Sequence, residues 1–402
     1  MSVSAESESP CRRYWRLVNA GEPFRLLFPL GALLGILGVA VWPLHVWGFA
    51  PNYPGQIHAR IMIECFLTSF VIGFLGTALP RVLDVRRLGL AISGTLAVVL
   101  ALSASMHLAG HGLWGDIAFA AALGAFVAVL LSRARQRKDI PPPSFVLVGM
   151  GLLAGIAGAV IQILDRIWPM LLAPWVGSLG RALLHQAYPL LPVMGVGAFL
   201  LPRFFGLRGR QDFPELLRPS RAWLRQALLA FSAGVLVLVS LLLEARGYVR
   251  PGYALRLLAV AGFFASEIPQ GEILRGRGTL ALGVKIALVS IPAGYALLAF
   301  SPSHYFAWLH VVFVTGFSLL IFVVACRVVF GHGGQSEKFR ARLWPILAVI
   351  ALLLLAAATR VSADWMDASR LKHYAYAAIA WSAGAVVWFM ALRRTLASSD
   401  ED

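Results

Sequence analysis

The sequence predicts an all-α protein, a polytopic membrane bundle of about twelve transmembrane helices. Composition gives the first indication: of 402 residues, 59% are hydrophobic and 13% charged, with a mean hydropathy of +0.76, outside the range of soluble domains. Pattern gives the second. Apolar runs of about 20 residues, the length that crosses the hydrocarbon core, follow one another with short polar connections between them. Charge gives the third. The net charge of +16 comes from Lys and Arg between the runs, where the positive-inside rule accounts for them and nucleic-acid binding is not needed.

The runs fall at 25–48, 57–79, 88–108, 113–132, 144–164, 182–202, 223–243, 253–270, 279–300, 304–326, 343–361 and 374–392. Residues 1–22 are polar, carry Arg12, Arg13 and Arg16, and lack the small-residue cleavage pattern of a secretory signal, so the first run is expected to stay as an anchor. Connections on the side of this tail, with Arg86, Arg87, Arg135, Arg137 and Lys138 among them, hold roughly three times as many Lys and Arg as those on the other side, which places both termini in the cytoplasm. The fifth run contains Gly149, Gly151, Gly155 and Gly158, which suit close helix packing. A single membrane domain, 1–402, is expected: tail 1–22, bundle 23–396, acidic tail 397–402. Cys11 lies in the tail, while Cys65 and Cys326 lie in runs near opposite faces, so no disulfide framework is implied.

The second, sixth and tenth runs end alike, in Gly76-Thr-Ala-Leu-Pro80-Arg81, Gly197-Ala-Phe-Leu-Leu-Pro202-Arg203 and Val323-Val-Ala-Cys326-Arg327. The arginines recur at intervals of about 120 residues, which suggests three repeats of four helices. Each of these runs carries a histidine toward its other end: His58, His185 and His310. At a rise of 1.5 Å per residue, His185 and His310 lie at similar depth, and Glu64 is the residue of the second run nearest that depth.

Eight histidines, His45, His58, His107, His111, His185, His304, His310 and His373, map to outer helix ends, and only His332 maps to the cytoplasmic side. Neutral imidazole is the commonest protein metal ligand, so a metal or haem centre in the outer half would explain the bias, as would the ordinary gathering of polar residues at interfaces. His107 and His111 stand at i and i+4, a spacing that lets two imidazoles share an ion. His58, Met62 and Cys65 fall on one helical face and form a set suited to copper; packing is the plainer use of Met and Cys there. Arg60, Glu64, Asp165, Glu267, Glu272 and Lys285 are ionisable groups in or beside runs. Glu267 and Lys285, on consecutive antiparallel helices, are placed to pair, and structural pairing and a proton path are both open readings. P-loop, dinucleotide, haem-attachment and zincin motifs do not occur.

The segment LHVVFVTGFSLLIFVVACRVVFGHGGQ, from Leu309 to Gln335, resembles the most distinctive stretch of the NnrS family, with His310, Gly316, Arg327, Gly331, His332 and Gly333 matching. HARIMIECFLTSFVIGFLGTALPRV, from His58, is similar to the family's His-Ala-His-Glu-Met helix and the Gly-Phe-Leu-x-Thr-Ala-Val-Pro that follows it. PFRLLFPLGALLGIL at Pro23 and GVGAFLLPRFF at Gly195 extend the likeness over essentially the full chain. Arg60 and Ile61 stand where the family has its second His and its Glu, Lys285 stands near a family histidine, and Gln335 replaces an arginine. Arginine is a poor metal ligand, so a ligand set using both positions 60 and 61 cannot be intact.

The resemblance implies a bacterial inner-membrane protein that binds haem, with copper as a second metal, and serves in the response to nitric oxide and nitrosative stress. The ligands expected on it are His58, His185 and His310, with His107, His111 and Met62 as further metal donors. Arg203 and Arg327 would steady propionates or lipid phosphates, Glu64 and the Glu267–Lys285 pair would supply protons or charge, and His332 would shape a turn. The competing expectation is a transporter or permease without a cofactor, its buried charges binding substrate.

Overall fold

The computed structural model describes residues 9–213, 217–273 and 275–399, apart from the side chains of Pro10, Gln270 and Glu272. Glu272 therefore lies outside the described side chains. Among the described residues there is no β-strand. Ser9 caps a basic amphipathic helix, Pro10–Asn19. Among the described residues twelve long helices follow: α1 Phe24–Val46, α2 Gly55–Val82, α3 Leu90–Leu108, α4 Gly112–Ala134, α5 Phe145–Ile167, α6 Pro174–Phe204, α7 Arg221–Ala245, α8 Val249–Glu267, α9 Thr279–Phe300, α10 Pro302–His332, α11 Trp344–Ser362 and α12 Arg370–Leu392. Eleven of them are long and apolar enough to cross a membrane, which makes the chain a multi-pass membrane protein. The exception is α8, whose Arg250 and Arg256 dilute its apolar content.

Packing shows why α8 nonetheless belongs to the bundle. In each third of the chain the first helix packs on the second, the second on the third, and the third on the fourth: α1 to α4, α5 to α8, and α9 to α12. The fourth helix of each group then meets the first of the next, through the contacts α4–α5, α8–α9 and α12–α1. The expected three repeats thus form a closed ring, in which α8 holds the place that α4 and α12 hold in their own groups. The three second helices, α2, α6 and α10, are the most buried of the spanning helices. Around the ring axis they enclose a small apolar pocket lined by residues such as Phe70, Val193 and Val324.

Each inner helix also contains a π-helical stretch: Ile61–Leu67 in α2, Leu183–Ala187 in α6 and Val311–Ser318 in α10. Such insertions widen one turn and concentrate at functional sites. In α2 the widened turn is filled by Thr68, whose Oγ1 donates to the Ile63 carbonyl at 3.0 Å. The Thr68 hydroxyl also bonds Tyr188, directly after the second π stretch, at 2.8 Å. Outward, the bundle shows lipid-type side chains such as Val98, Leu131, Leu228 and Val289.

The N- and C-terminal segments meet at one end of the bundle. The buried Arg25 at the start of α1 donates to the Leu396 carbonyl at 2.6 Å and, through Nε, to Glu22 at 2.6 Å. His332 and Arg81 complete this knot, at 2.9 and 2.7 Å from Glu22 Oε1. Burial would raise the Glu22 carboxyl, but the hydrogen bond from His332 and the charge of Arg25 outweigh it and hold the group down to about 2. His332 is therefore part of a polar knot joining the helix ends as well as of a turn.

Candidate functional site

At the end of the bundle opposite the termini, the ring opens into a cavity of about 970 Å³, at the upper limit of ordinary ligand pockets. Three expected ligands line it: His58 from α2, His185 from α6 and His310 from α10. Each lies in or beside the π stretch of its helix. The His58 and His310 rings are nearly parallel, 9° apart, with centroids separated by 6.3 Å. Each is fixed through Nδ1, His58 by donating to the Gly38 carbonyl at 2.9 Å and His310 by donating to that of Phe306 at 2.6 Å. An imidazole so anchored keeps the tautomer in which Nε2 is the free lone-pair donor, the arrangement typical of metal-binding histidines. His185 makes no hydrogen bond among the described residues.

The cavity wall combines aromatic groups, including Trp42, Phe66, Phe313 and Trp381, with Arg60, Arg166, Arg181 and Arg360. Asp165 and Glu244 are the acidic groups of the lining. Four guanidiniums and two carboxylates line the chamber, and Asp116 behind the wall faces Arg60 at 3.2 Å and Arg166 at 3.7 Å. Arg360 is tied to Asp364 at 3.0 Å and Arg181 to the Ser178 hydroxyl at 3.0 Å.

Several expected placements change. His107 and His111 do not share a helical face, because α3 ends at Leu108 and Gly110 turns the chain at a φ of +80°. His111 stands in the connection at the N-cap position of the next helix, with no side-chain capping bond, whereas His107 is buried against Glu64, its Nε2 donating to Oε2 at 2.9 Å. Of the set His58, Met62 and Cys65, only His58 and Met62 reach the cavity. The π turn rotates Cys65 away, so that its thiol donates to the Ser103 hydroxyl of α3 at 3.6 Å. The expected Glu267–Lys285 pair does not form among the described contacts: Glu267 accepts from Gln211 at 2.8 Å and Lys285 donates to the Gly276 carbonyl at 2.8 Å. Neither lines the cavity.

Arg203 and Arg327 lie at the other end of their helices, away from the histidines. Arg203 bonds Asp212 at 2.6 Å and covers the Phe199 ring; the Arg327 guanidinium sits between the rings of Phe204 and Phe339. The arginines that line the cavity with the histidines are Arg60, Arg166, Arg181 and Arg360 instead, of which only Arg60 stood out in the sequence as an ionisable group in a run. Asp116 was also missed. It is a buried carboxylate at the start of α4, beside Glu64 and His107, and only the hairpin between α3 and α4 brings it there.

A third polar group borders the cavity. Arg256 of α8 is fully buried and donates to Glu244 at 2.7 Å, to the Ser240 hydroxyl at 3.0 Å and to Gln186. Glu244 also accepts from the Tyr253 hydroxyl at 2.5 Å. This network turns the charge of α8 inward and explains how a helix with that arginine can stand in the ring.

No curated protein matches the chain in sequence. The family model described as NnrS protein matches residues 20–399, nearly the whole of the ring and both of its ends, and the chain belongs to the NnrS family.

Proposed function

We propose that the cavity holds haem, with the imidazoles of His58 and His310 as its nearest donors, and that the protein serves in the bacterial response to nitric oxide from the inner membrane, with both termini cytoplasmic. The observation that carries this reading is the His58–His310 pair. Their ring centroids lie 6.3 Å apart with the rings 9° from parallel, and each is anchored through Nδ1, which leaves Nε2 as the donor. The donor chemistry and the volume fit haem, and the lining arginines offer partners for its carboxylates. Haem iron held by one of the two imidazoles would supply a coordination position for a small diatomic ligand.

The residues of the chain have separable tasks in this reading. The Gly38 and Phe306 carbonyls hold the two rings in the donor tautomer. Arg60, Arg166, Arg181 and Arg360 pair with carboxylates, and the aromatic wall keeps water from the ring faces. His185 and Met62, also on the cavity wall, are the donors left for copper, since thioether and imidazole both suit it.

An absorption spectrum of the detergent-purified protein from a haem-replete host tests the reading. A Soret band is expected, displaced or lost in His58→Ala and His310→Ala and kept in His332→Ala. A colourless protein would refute it and favour a cofactor-free permease, in which the same chamber is a vestibule.

A further inference from the structure

We propose that Glu64, His107 and Asp116 form a second site, separate from the histidine cavity, that binds one divalent cation of borderline to hard character such as zinc or manganese. The three residues come from α2, α3 and α4, the inner helix and the outer hairpin of the first repeat. Their ligand atoms all lie within 4.8 Å of one another, and their side chains are 0, 1 and 2% exposed. His107 Nε2 stands 2.9 Å from Glu64 Oε2 and 3.9 Å from Asp116 Oδ1. Ligand atoms at about 2.1 Å from a tetrahedral ion are ~3.4 Å apart, a value between those two distances.

The second observation is unmet demand. Glu64 Oε1 and both oxygens of Asp116 are buried with no hydrogen-bond partner, although buried carboxylates are ordinarily satisfied. Two oxygens and one imidazole nitrogen form a donor set for zinc, manganese or ferrous iron, and contain no sulfur to select cuprous copper. Local structure is arranged around the group. Glu64 sits in the π stretch of α2, and the His107 ring lies so close to Gly115 that a Cβ there would stand 2.5 Å from it. Ser103 ties the two outer helices together by donating to the Gly115 carbonyl at 2.9 Å.

Arg60 and Arg166 face Asp116, with Arg60 Nε 3.2 Å from Oδ1 and Arg166 Nη1 3.7 Å from Oδ2. Neither contact makes a hydrogen bond of proper geometry. Both arginines also line the cavity, so they stand between it and the triad. Two guanidiniums balance two carboxylates while the site is empty. A divalent ion takes over that role, and the arginines remain part of the cavity wall. Their positive charge opposes the incoming cation, so they set the affinity low and keep the site exchangeable.

The test uses full-length protein in detergent, stripped with chelator and titrated with Mn²⁺ by EPR and with Zn²⁺ by metal analysis after desalting. About one ion per chain is expected, with affinity lowered at least tenfold in Glu64→Gln and in Asp116→Asn. Arg60→Gln is expected to bind more tightly than wild type, an outcome that misfolding cannot produce. His310→Ala is expected to bind as wild type does, which separates this site from the cavity whether or not haem is present. Absence of saturable binding, binding indifferent to Glu64→Gln and Asp116→Asn, or an Arg60→Gln affinity equal to or below wild type would each overturn the proposal.

Discussion

Replacing Arg256 by methionine should be among the most damaging single changes in the bundle. The guanidinium is fully buried and serves Glu244, Ser240 and Gln186 together. Methionine fills much of the volume, so the loss is chiefly electrostatic: Glu244, already bonded to Tyr253, keeps its charge without its counter-ion. Removing one partner of a buried ion pair costs about 3–5 kcal/mol. Neutralising the survivor should recover part of that, so Arg256→Met with Glu244→Gln should be more stable than Arg256→Met alone, with a coupling of at least about 1.5 kcal/mol. Unfolding in rising SDS fraction, followed by tryptophan fluorescence, gives the four corners of the cycle. A loss under about 1 kcal/mol for Arg256→Met, or strict additivity of the two changes, would refute the reasoning.

The polar knot at the termini gives a pH prediction. The Glu22 carboxyl is held at about 2 in the folded chain, below the ~4.3 of an unfolded glutamate, so its contribution is complete above about pH 5 and is lost as pH falls toward 2. Thermal unfolding in detergent should therefore fall more steeply between about pH 5 and 3 for wild type than for Glu22→Gln; parallel curves would count against the knot. Gly158→Val should disturb assembly of α5 on α6, because even a Cβ there would stand 2.6 Å from the Leu184 nitrogen and 2.7 Å from the Gly180 carbonyl. Size-exclusion profiles should show loss of monodisperse protein, and an unchanged profile would contradict the packing. His111→Ala should leave bound metal unchanged, since this residue lies outside both sites; metal analysis beside Asp116→Asn decides it.

The helices were legible because hydropathy over about 20 residues depends on the solvent and little on neighbours. Even α8 stood out as a run, although its arginine leaves it less apolar than the rest, because the remaining positions are strongly apolar. The repeat was legible in Arg81, Arg203 and Arg327, which lie toward the same end of the three inner helices. The π stretches were not, since a single extra residue in a turn leaves no mark in an apolar run; Cys65 was misplaced for that reason. Asp116 escaped because its partners come from other helices, and the turn at Gly110 that delivers it also breaks the apparent i, i+4 spacing of His107 and His111. Glu267 and Lys285 were paired on adjacency in sequence, but Gln211, from a distant connection, reaches the carboxylate first.

Ring closure has a consequence for how the chain is made. Helices enter the membrane in order from the N-terminus, yet α1 finds its neighbour α12 only at the end of synthesis. Until then α1 has one flank against lipid, and Arg25 waits for the carbonyls of Thr395 and Leu396. A ribosome halted before the last helix would leave an open arc with an arginine short of two acceptors. The last few turns of the chain thus act as the clasp of the assembly.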